Sequence, residues 1–167
     1  MAKNSKRSFL LDTSAFISLE SVNLLKEAIR ISNIITANSV IKELNEFSKY
    51  DDENGKIAKR VLKLKNNFSI KSAKIKEKIK YLENTDNELF NLSKQNNVPL
   101  ISDDHKLIHH TKGKIETYFS TFFIIALVVA DIITKENALK ILEELRDIRN
   151  WESNIIYIAT KEILDEL

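Results

Sequence analysis

Short apolar runs alternate along the chain with longer segments in which apolar residues recur at helical spacing. The runs predict strands at residues 8–12, 33–37, 68–72, 100–103 and 114–120. The spacing predicts helices at residues 17–30, 38–50, 73–82 and 84–97, a turn followed by a helix within 51–67, and helices across most of 121–149 and about 153–166. Strands that alternate with helices in this way predict an α/β fold with a central parallel sheet covered by helices on both faces.

The 167 residues predict a single domain at residues 8–167, preceded by a flexible, polar and basic tail at residues 1–7. An apolar fraction of 43% and a charged fraction of 30% are typical of a soluble globular protein. The longest apolar stretch, at residues 122–133, is too short to span a membrane, so no membrane association is expected. The chain has no cysteine, which excludes disulfides and Cys-type zinc sites and suits the cytoplasm.

Acidic residues lie where predicted strands are followed by helices. Asp12 ends the first strand, and the pair Asp103–Asp104 ends a later one. Glu43 and Asp86 lie in the first turns of predicted helices. Ligand sites of open parallel sheets lie beyond the carboxyl ends of the strands, so these acids are expected near one edge of the sheet.

Each of these acids also has an ordinary structural interpretation when it is taken alone. An aspartate after a strand is often the N-cap of the next helix, and an acid in a first turn complements the helix dipole. Carboxylates gathered in one site, however, repel each other and favour a bound cation. A ligand set made only of oxygen favours Mg²⁺ or Mn²⁺, and such an ion can activate water for phosphodiester hydrolysis.

Positive charge is concentrated in the middle of the chain, although the formal net charge is only +2. Residues 56–80 contain ten Lys or Arg residues against one acid, Glu77. Such a segment is either a solvated surface or a contact for a polyphosphate backbone, and the excess of charge favours RNA contact. The predicted RNA-binding residues are Lys63, Lys65, Lys71, Lys74, Lys76, Lys78 and Lys80.

The order of these motifs resembles that of the PIN domain family. The matching pieces are LLDTSAFI at 10–17, SVIKELNEF at 39–47, NTDNELFNLSKQNNVPLISDDHKL at 84–107 and TYFSTFFIIAL at 117–127. The resemblance implies a three-layer α/β/α fold with a core at about residues 8–127 and a helix-rich C-terminal part. It also implies an endoribonuclease that depends on Mg²⁺ or Mn²⁺, similar to archaeal members or to the VapC-like toxins.

The resemblance assigns the family's acidic residues position by position. Its four catalytic acids correspond to Asp12, Glu43, Asp86 and Asp104. Asp103 competes with its neighbour for the fourth place and is also a candidate metal ligand. Ser14 and Ser102 match polar positions that support the acids by hydrogen bonding.

The expected roles of the four acids follow from carboxylate chemistry. Asp12 and Asp104 are the expected direct metal ligands. Asp86 would complete the metal's ligand shell or hold a second ion. Glu43 would orient a metal-bound water or accept its proton.

Several hypotheses about function remain open at this level. The leading one is an endoribonuclease, either for RNA processing or as a toxin paired with an antitoxin protein, and a homodimer is common in the family. The second is an inert PIN-like module that binds RNA or acts as a scaffold. The third is a phosphotransfer protein: receiver domains place their acid pair near the first strand, and haloacid-dehalogenase-like phosphatases need an aspartate where Ser14 stands.

Overall fold

The computed structural model describes residues 6–167, and within this part the chain forms five strands and nine α-helices. The strands are β1 (Ser8–Leu11), β2 (Asn33–Ala37), β3 (Phe68–Lys71), β4 (Leu100–Ile101) and β5 (Thr117–Tyr118). The first five helices are α1 (Thr13–Ser21), α2 (Leu25–Ile31), α3 (Asn38–Phe47), α4 (Glu53–Lys63) and α5 (Asn84–Asn96). The remaining helices are α6 (His105–Thr111), α7 (Phe122–Val129), α8 (Lys135–Arg149) and α9 (Ile155–Glu166).

The five strands form one sheet in the order β3-β2-β1-β4-β5, and every pair is parallel. In the centre of the sheet, Leu10 lies opposite Ile35 on one side and Leu100 on the other. The structure therefore confirms the predicted three-layer α/β/α architecture with a central parallel sheet and a helix-rich C-terminal part.

Apolar residues on both faces of the sheet explain why the strands appear in the sequence as continuous runs. Phe9, Leu10 and Leu11 are consecutive and all buried, although neighbouring side chains of a strand point to opposite faces. The ring of Phe9 packs against Phe122 and Phe123 at the start of α7, with centroids 5.1 and 5.5 Å apart. Helices must therefore cover both faces of β1, as is usual for parallel sheets.

Some helix boundaries differ from those that the sequence predicts. The helix predicted at residues 17–30 is two helices, because Asn23 adopts a left-handed conformation with φ of 59° between α1 and α2. The C-terminal helices are separated in the same way by Asp131 and Asn150, with φ of 53° and 54°. Asn and Asp tolerate this conformation better than most residues, so each marks the turn at which a helix ends.

The helix predicted at residues 73–82 is wrong, since this segment is an irregular loop that lies along α5. Asn91 of α5 accepts hydrogen bonds from the amides of Lys76 and Glu77 and donates to the carbonyl of Glu77. One turn earlier, Asn87 accepts from the amide of Ile79 at 2.7 Å. These side chains satisfy backbone groups that a helix would have paired internally, so the loop is ordered without regular structure.

The tail that the sequence predicts at residues 1–7 lies mostly outside the described residues, which begin at Lys6. Arg7, within that range, forms an ion pair with Glu116, in which one guanidinium nitrogen lies 2.9 Å from each of the two carboxylate oxygens. Its guanidinium carbon also lies 5.2 Å from the centroid of the Phe9 ring. Arg7 thus connects the chain before β1 to the segment before β5.

We predict that Asn87→Ala destabilises the protein and loosens the lysine-rich loop at residues 73–82 (the basic loop). The Asn87 amide is fully buried and donates to carbonyls of Ile79, Leu82 and Glu83. Its loss leaves several buried backbone groups unpaired, so the free energy of unfolding should fall by about 2–3 kcal/mol. Urea denaturation measures this loss, and trypsin should cut the variant faster within residues 74–80.

The control for this prediction is Asn45→Ala, which removes an exposed asparagine that bonds only to its own helix, at the Ile41 carbonyl. Its effect on unfolding should stay within about 0.5 kcal/mol of the wild type. Equal stability of the two variants would contradict an anchoring role for Asn87.

Candidate functional site

A crevice opens where the order of the strands reverses. The chain passes from β1 outward to β2 and β3, then returns to β4 on the other side of β1 and continues to β5. The segments after β1 and β4 therefore lead away in opposite directions, which is the usual place for a ligand site in an open α/β sheet. Asp12 follows β1 directly, and Ser102, Asp103 and Asp104 follow β4.

Asp12 lies at the bottom of this crevice and is only 5% exposed. It is the N-cap of α1, since its carboxylate accepts a hydrogen bond from the amide of Ala15 at 2.7 Å. The hydroxyl of Ser14 lies 2.8 and 2.9 Å from its two oxygens, and the hydroxyl of Ser102 donates to Oδ2. The cap interpretation and the site interpretation of Asp12 are thus compatible, because one carboxylate has both environments.

Burial has the largest effect on the Asp12 carboxyl, and the pKa of this group is raised to about 7. The hydrogen bonds from Ser102, Ala15 and Ser14 act in the opposite direction, while the nearby charge of Asp103 raises the pKa further. A carboxylate with this pKa exchanges its proton near neutral pH. A bound cation would keep it ionised.

Ser14 and Ser102 also connect Asp12 to the segment after β4. The hydroxyl oxygen of Ser14 accepts a hydrogen bond from the amide of Asp103 at 2.8 Å. The hydroxyl oxygen of Ser102 accepts one from the amide of Asp104 at 3.0 Å. Each hydroxyl donates to Asp12 and accepts from the backbone of Asp103 or Asp104. These two serine side chains therefore link the end of β1 to the end of β4.

The two aspartates after β4 have different surroundings. Asp104 is the N-cap of α6, and its Oδ1 accepts from the amides of Lys106 and Leu107 at 2.7 and 3.2 Å. Asp103 is buried and accepts from the amide of Ser120 through Oδ1 at 2.8 Å, and its Oδ2 has no hydrogen-bond partner within residues 6–167. Asp104 lines the crevice and Asp103 does not, so only Asp104 of this pair is open to the pocket.

Glu43 and Asp86 approach the crevice from α3 and α5. Oε2 of Glu43 accepts a hydrogen bond from the hydroxyl of Thr13 at 2.6 Å, so α3 is linked to the start of α1. Asp86 accepts weakly from the amide of Glu83 at 3.4 Å. Partial burial raises the pKa of Asp86 to about 6, and the charges of Asp104, Glu83 and Glu43 add to this effect.

Four carboxylates from separate parts of the chain thus line one pocket of about 400 Å³, namely Asp12, Glu43, Asp86 and Asp104. Three further charged residues that the sequence pattern does not predict also line it, namely Glu83, Lys106 and Arg149. Glu83 precedes α5 at the N-cap position, where a glutamate is uncommon, and Arg149 ends α8 far along the chain. Only the folded structure brings these three residues to the acids.

The donor chemistry of the pocket fits a hard divalent cation, since the acids and neighbouring hydroxyls offer only oxygen. Among residues 6–167, however, no group of three or more His, Asp and Glu side chains is arranged to hold a metal ion by itself. Mg²⁺ is commonly bound through one or two carboxylates together with several waters, so it does not need a preformed group of three ligands as a zinc site does.

The lysines predicted to bind RNA are all exposed in the structure. Lys63 ends α4, and Lys65 begins the following 3₁₀ turn. Lys71 in β3 donates to the side chain of Asn96 at 2.9 Å. The other four lie on the loop anchored by α5, and they are Lys74, Lys76, Lys78 and Lys80. This loop leads directly to Glu83 and Asp86 at the pocket.

Comparison with known proteins supports the fold. No family model and no curated protein matches this chain. A PilT N-terminus domain protein from the hyperthermophilic archaeon Sulfolobus solfataricus P2 aligns with a TM-score of 0.51 and 15% identity, over 71% of this chain and 92% of that one. A domain of a functionally unknown protein from Methanocaldococcus jannaschii DSM 2661 aligns with a TM-score of 0.50 and 19% identity, over 68% of this chain and 90% of that one. The chain therefore has the PIN-like fold that its motifs imply.

One further structural property bears on the setting of the site. None of the helices in residues 6–167 combines the length and apolar character that crossing a membrane requires.

We predict that Asp12→Asn stabilises the metal-free protein at alkaline pH. The pKa of Asp12 is about 7 in the folded protein and near the ordinary aspartate value of 3.8 when the chain is unfolded. Between these two pH values the folded state keeps the Asp12 proton, whereas the unfolded state has lost it. The free energy of unfolding therefore falls as the pH rises through this window, and it stays lowered above the window. The asparagine avoids this penalty and should raise the free energy of unfolding at pH 8 by about 1–4 kcal/mol.

Urea denaturation in a chelator at pH 8, 6 and 4 measures this gain, which should shrink as the pH falls. Asp165→Asn, at an exposed position in α9, is the matched control and should change stability equally at each pH. A variant less stable than the wild type at pH 8 would show that the hydrogen bonds to the Asp12 carboxylate outweigh its burial.

Proposed function

We propose that the protein is a Mg²⁺- or Mn²⁺-dependent endoribonuclease that hydrolyses RNA phosphodiester bonds. The observation that carries this proposal is the convergence of Asp12, Glu43, Asp86 and Asp104 on one pocket at the point of strand reversal. These residues are separated by up to 92 positions in the sequence, and mutual repulsion opposes their assembly. A cation and a phosphate group are the ligands that such a pocket suits.

In this proposal Asp12 and Asp104 hold the metal ion, and Asp86 completes its surroundings or holds a second ion. The bound ion would supply charge stabilisation for the phosphodiester and would lower the pKa of a bound water. Asp103 would act from behind the pocket, where its charge and its amide bond to Ser14 affect Asp12. Ser14 and Ser102 would orient the Asp12 carboxylate through their hydroxyls.

Glu43 is the proposed proton acceptor. Its Oε2 receives the Thr13 hydroxyl, which leaves Oε1 to take a proton from the attacking water. The water would add to phosphorus, the bond from phosphorus to the 3′ oxygen would break, and the leaving oxygen would take up the proton that Glu43 accepted. The products would be a 5′-phosphate and a 3′-hydroxyl.

The basic loop at residues 73–82 is the proposed contact for the RNA backbone. Its exposed lysines extend along α5 towards the end of the helix that carries Asp86. Tyr81 is 64% exposed at the end of this loop, and its ring lies against that of His110 at 5.6 Å. A positive path with an exposed aromatic residue suits single-stranded RNA, whose phosphates and bases are both accessible.

Two biological roles use this chemistry, RNA processing and a toxin held in check by an antitoxin protein, and we retain both. The absence of cysteine suits a protein that acts on RNA in the cytoplasm. An inert RNA-binding or scaffolding module is less favoured, since such a module would have no need for four acids in one crevice.

We predict that the wild type cleaves a labelled single-stranded RNA in the presence of Mn²⁺, whereas Asp12→Asn and Asp104→Asn lose at least about 100-fold in rate. Gel analysis of the products should reveal 5′-phosphate and 3′-hydroxyl ends. Asp165→Asn is the control and should cleave at the wild-type rate.

Mn²⁺ should also raise the melting temperature of the wild type more than that of Asp12→Asn, because a ligand of the folded state stabilises it. Equal cleavage by the wild type and both pocket variants would indicate a contaminating nuclease. RNA binding without any cleavage would instead support the inert module.

We predict that replacing the four loop lysines by glutamine weakens RNA binding and reduces its salt dependence. Each lost phosphate contact should lower the slope of log affinity against log salt by about 0.7. Fluorescence anisotropy in the Asp12→Asn background measures this without cleavage. Replacing Lys135, Lys140 and Lys161 on the C-terminal helices by glutamine is the control, and a matching loss in that control would exclude a specific path along the loop.

A further inference from the structure

Arg149 differs from every other arginine of the chain in its partners. Arg7, Arg30, Arg60 and Arg146 each form an ion pair with a carboxylate. Within residues 6–167, Arg149 forms none, and its Nε is buried without a hydrogen-bond partner. A buried guanidinium nitrogen that lacks a partner is costly, so this contact is expected to be completed by a ligand.

The location of Arg149 indicates that the expected ligand is an anion in the pocket. The residue ends α8 and lines the pocket that contains the four acids, yet it pairs with none of them. Its guanidinium carbon lies 5.7 Å from the centroid of the buried Trp151 ring, which limits the directions in which the group can point. A cation held near carboxylates without binding them remains available for an anion that enters the pocket.

We propose that Arg149 binds the phosphate group at which the RNA is cut. This inference rests on the proposed function. Arginine presents parallel N–H donors that match two phosphate oxygens, and this geometry distinguishes it from a lysine. Arg149 stabilises the negative charge that develops on the phosphate as water attacks, while the acids of the pocket bind the cation and accept the proton.

Lys106 is the other cation that lines the pocket, and its surroundings are different. It is exposed on α6, and its backbone amide donates a hydrogen bond to the side chain of Asp104. A flexible, hydrated ammonium group attracts RNA in general but does not fix the orientation of one phosphate. Arg149 is therefore the residue to which the structure assigns this contact.

A purely structural role is the competing explanation for Arg149. In that case the side chain serves to pack on Trp151, and any residue that keeps this packing should function equally well. Arg149→Lys keeps the charge and most of the aliphatic stem but lacks the planar donor pair, whereas Arg149→Gln lacks the charge. Comparison of these variants separates phosphate binding from packing.

The first arm of the test measures single-turnover cleavage of labelled RNA with Mn²⁺ at saturating protein. We expect Arg149→Gln to lower the rate by about 100-fold or more and Arg149→Lys to recover part of this loss. Lys140→Gln, on the exposed face of the same helix, should cleave at the wild-type rate. Both Arg149 variants should keep the wild-type shift in melting temperature on addition of Mn²⁺, since the acids are intact.

The second arm measures the affinity of the same RNA for Asp12→Asn and for the Asp12→Asn/Arg149→Gln double variant, with Mn²⁺ present. We expect the double variant to bind at least about fivefold more weakly. If the wild type does not cleave RNA, the proposed function fails, and this arm still decides whether Arg149 binds phosphate. Unchanged affinity together with unchanged cleavage, or a loss explained by unfolding in both Arg149 variants, would overturn the inference.

Discussion

The burial of the Asp12 carboxylate is the constraint on which the rest of the site depends. The group lies at the end of the central strand, where water is largely excluded, and burial raises its pKa to about 7. The fold offsets this with the amide of Ala15 and the hydroxyls of Ser14 and Ser102. Those same hydroxyls accept from the backbone after β4, so stabilising Asp12 also fixes the position of Asp104.

The other acids are positioned by helices: one is an N-cap, one lies in a first turn, and Glu43 lies in the second turn of α3, not in the first turn that the sequence predicts. Asp104 caps α6, Asp86 lies in the first turn of α5, and Glu43 is held by the hydroxyl of Thr13 at the start of α1. The charges of these groups oppose one another, and they add to the effect of burial, which is the main cause of the raised pKa of Asp86. The stability needed to hold them together must therefore come from elsewhere, and the buried sheet with its cover of helices provides it.

The sequence predicts this scaffold well, because strands and acids are local features. The apolar runs identify each strand, and they place Asp12 directly after the first run and the pair Asp103–Asp104 after a later one, without distinguishing between the two members of the pair. The loop at residues 73–82 could not be recognised in this way, since its backbone groups pair with Asn87 and Asn91, which lie later in the chain. Arg149 was missed for the same reason, as nothing near it in sequence indicates that α8 ends beside the pocket.

The pair of asparagines in α5 links the two charged regions of the molecule. Asn87 directly follows Asp86, and it holds the backbone of the loop on which the exposed lysines lie. A shift of α5 would therefore move an acid of the pocket and the basic loop together. Because the loop is held by buried hydrogen bonds and not by its own helix, its lysines remain exposed on one side while its backbone stays fixed on the other. One helix, α5, thus carries an acid of the pocket and also holds the backbone of the basic loop, which fixes the acidic and basic regions of the domain relative to each other.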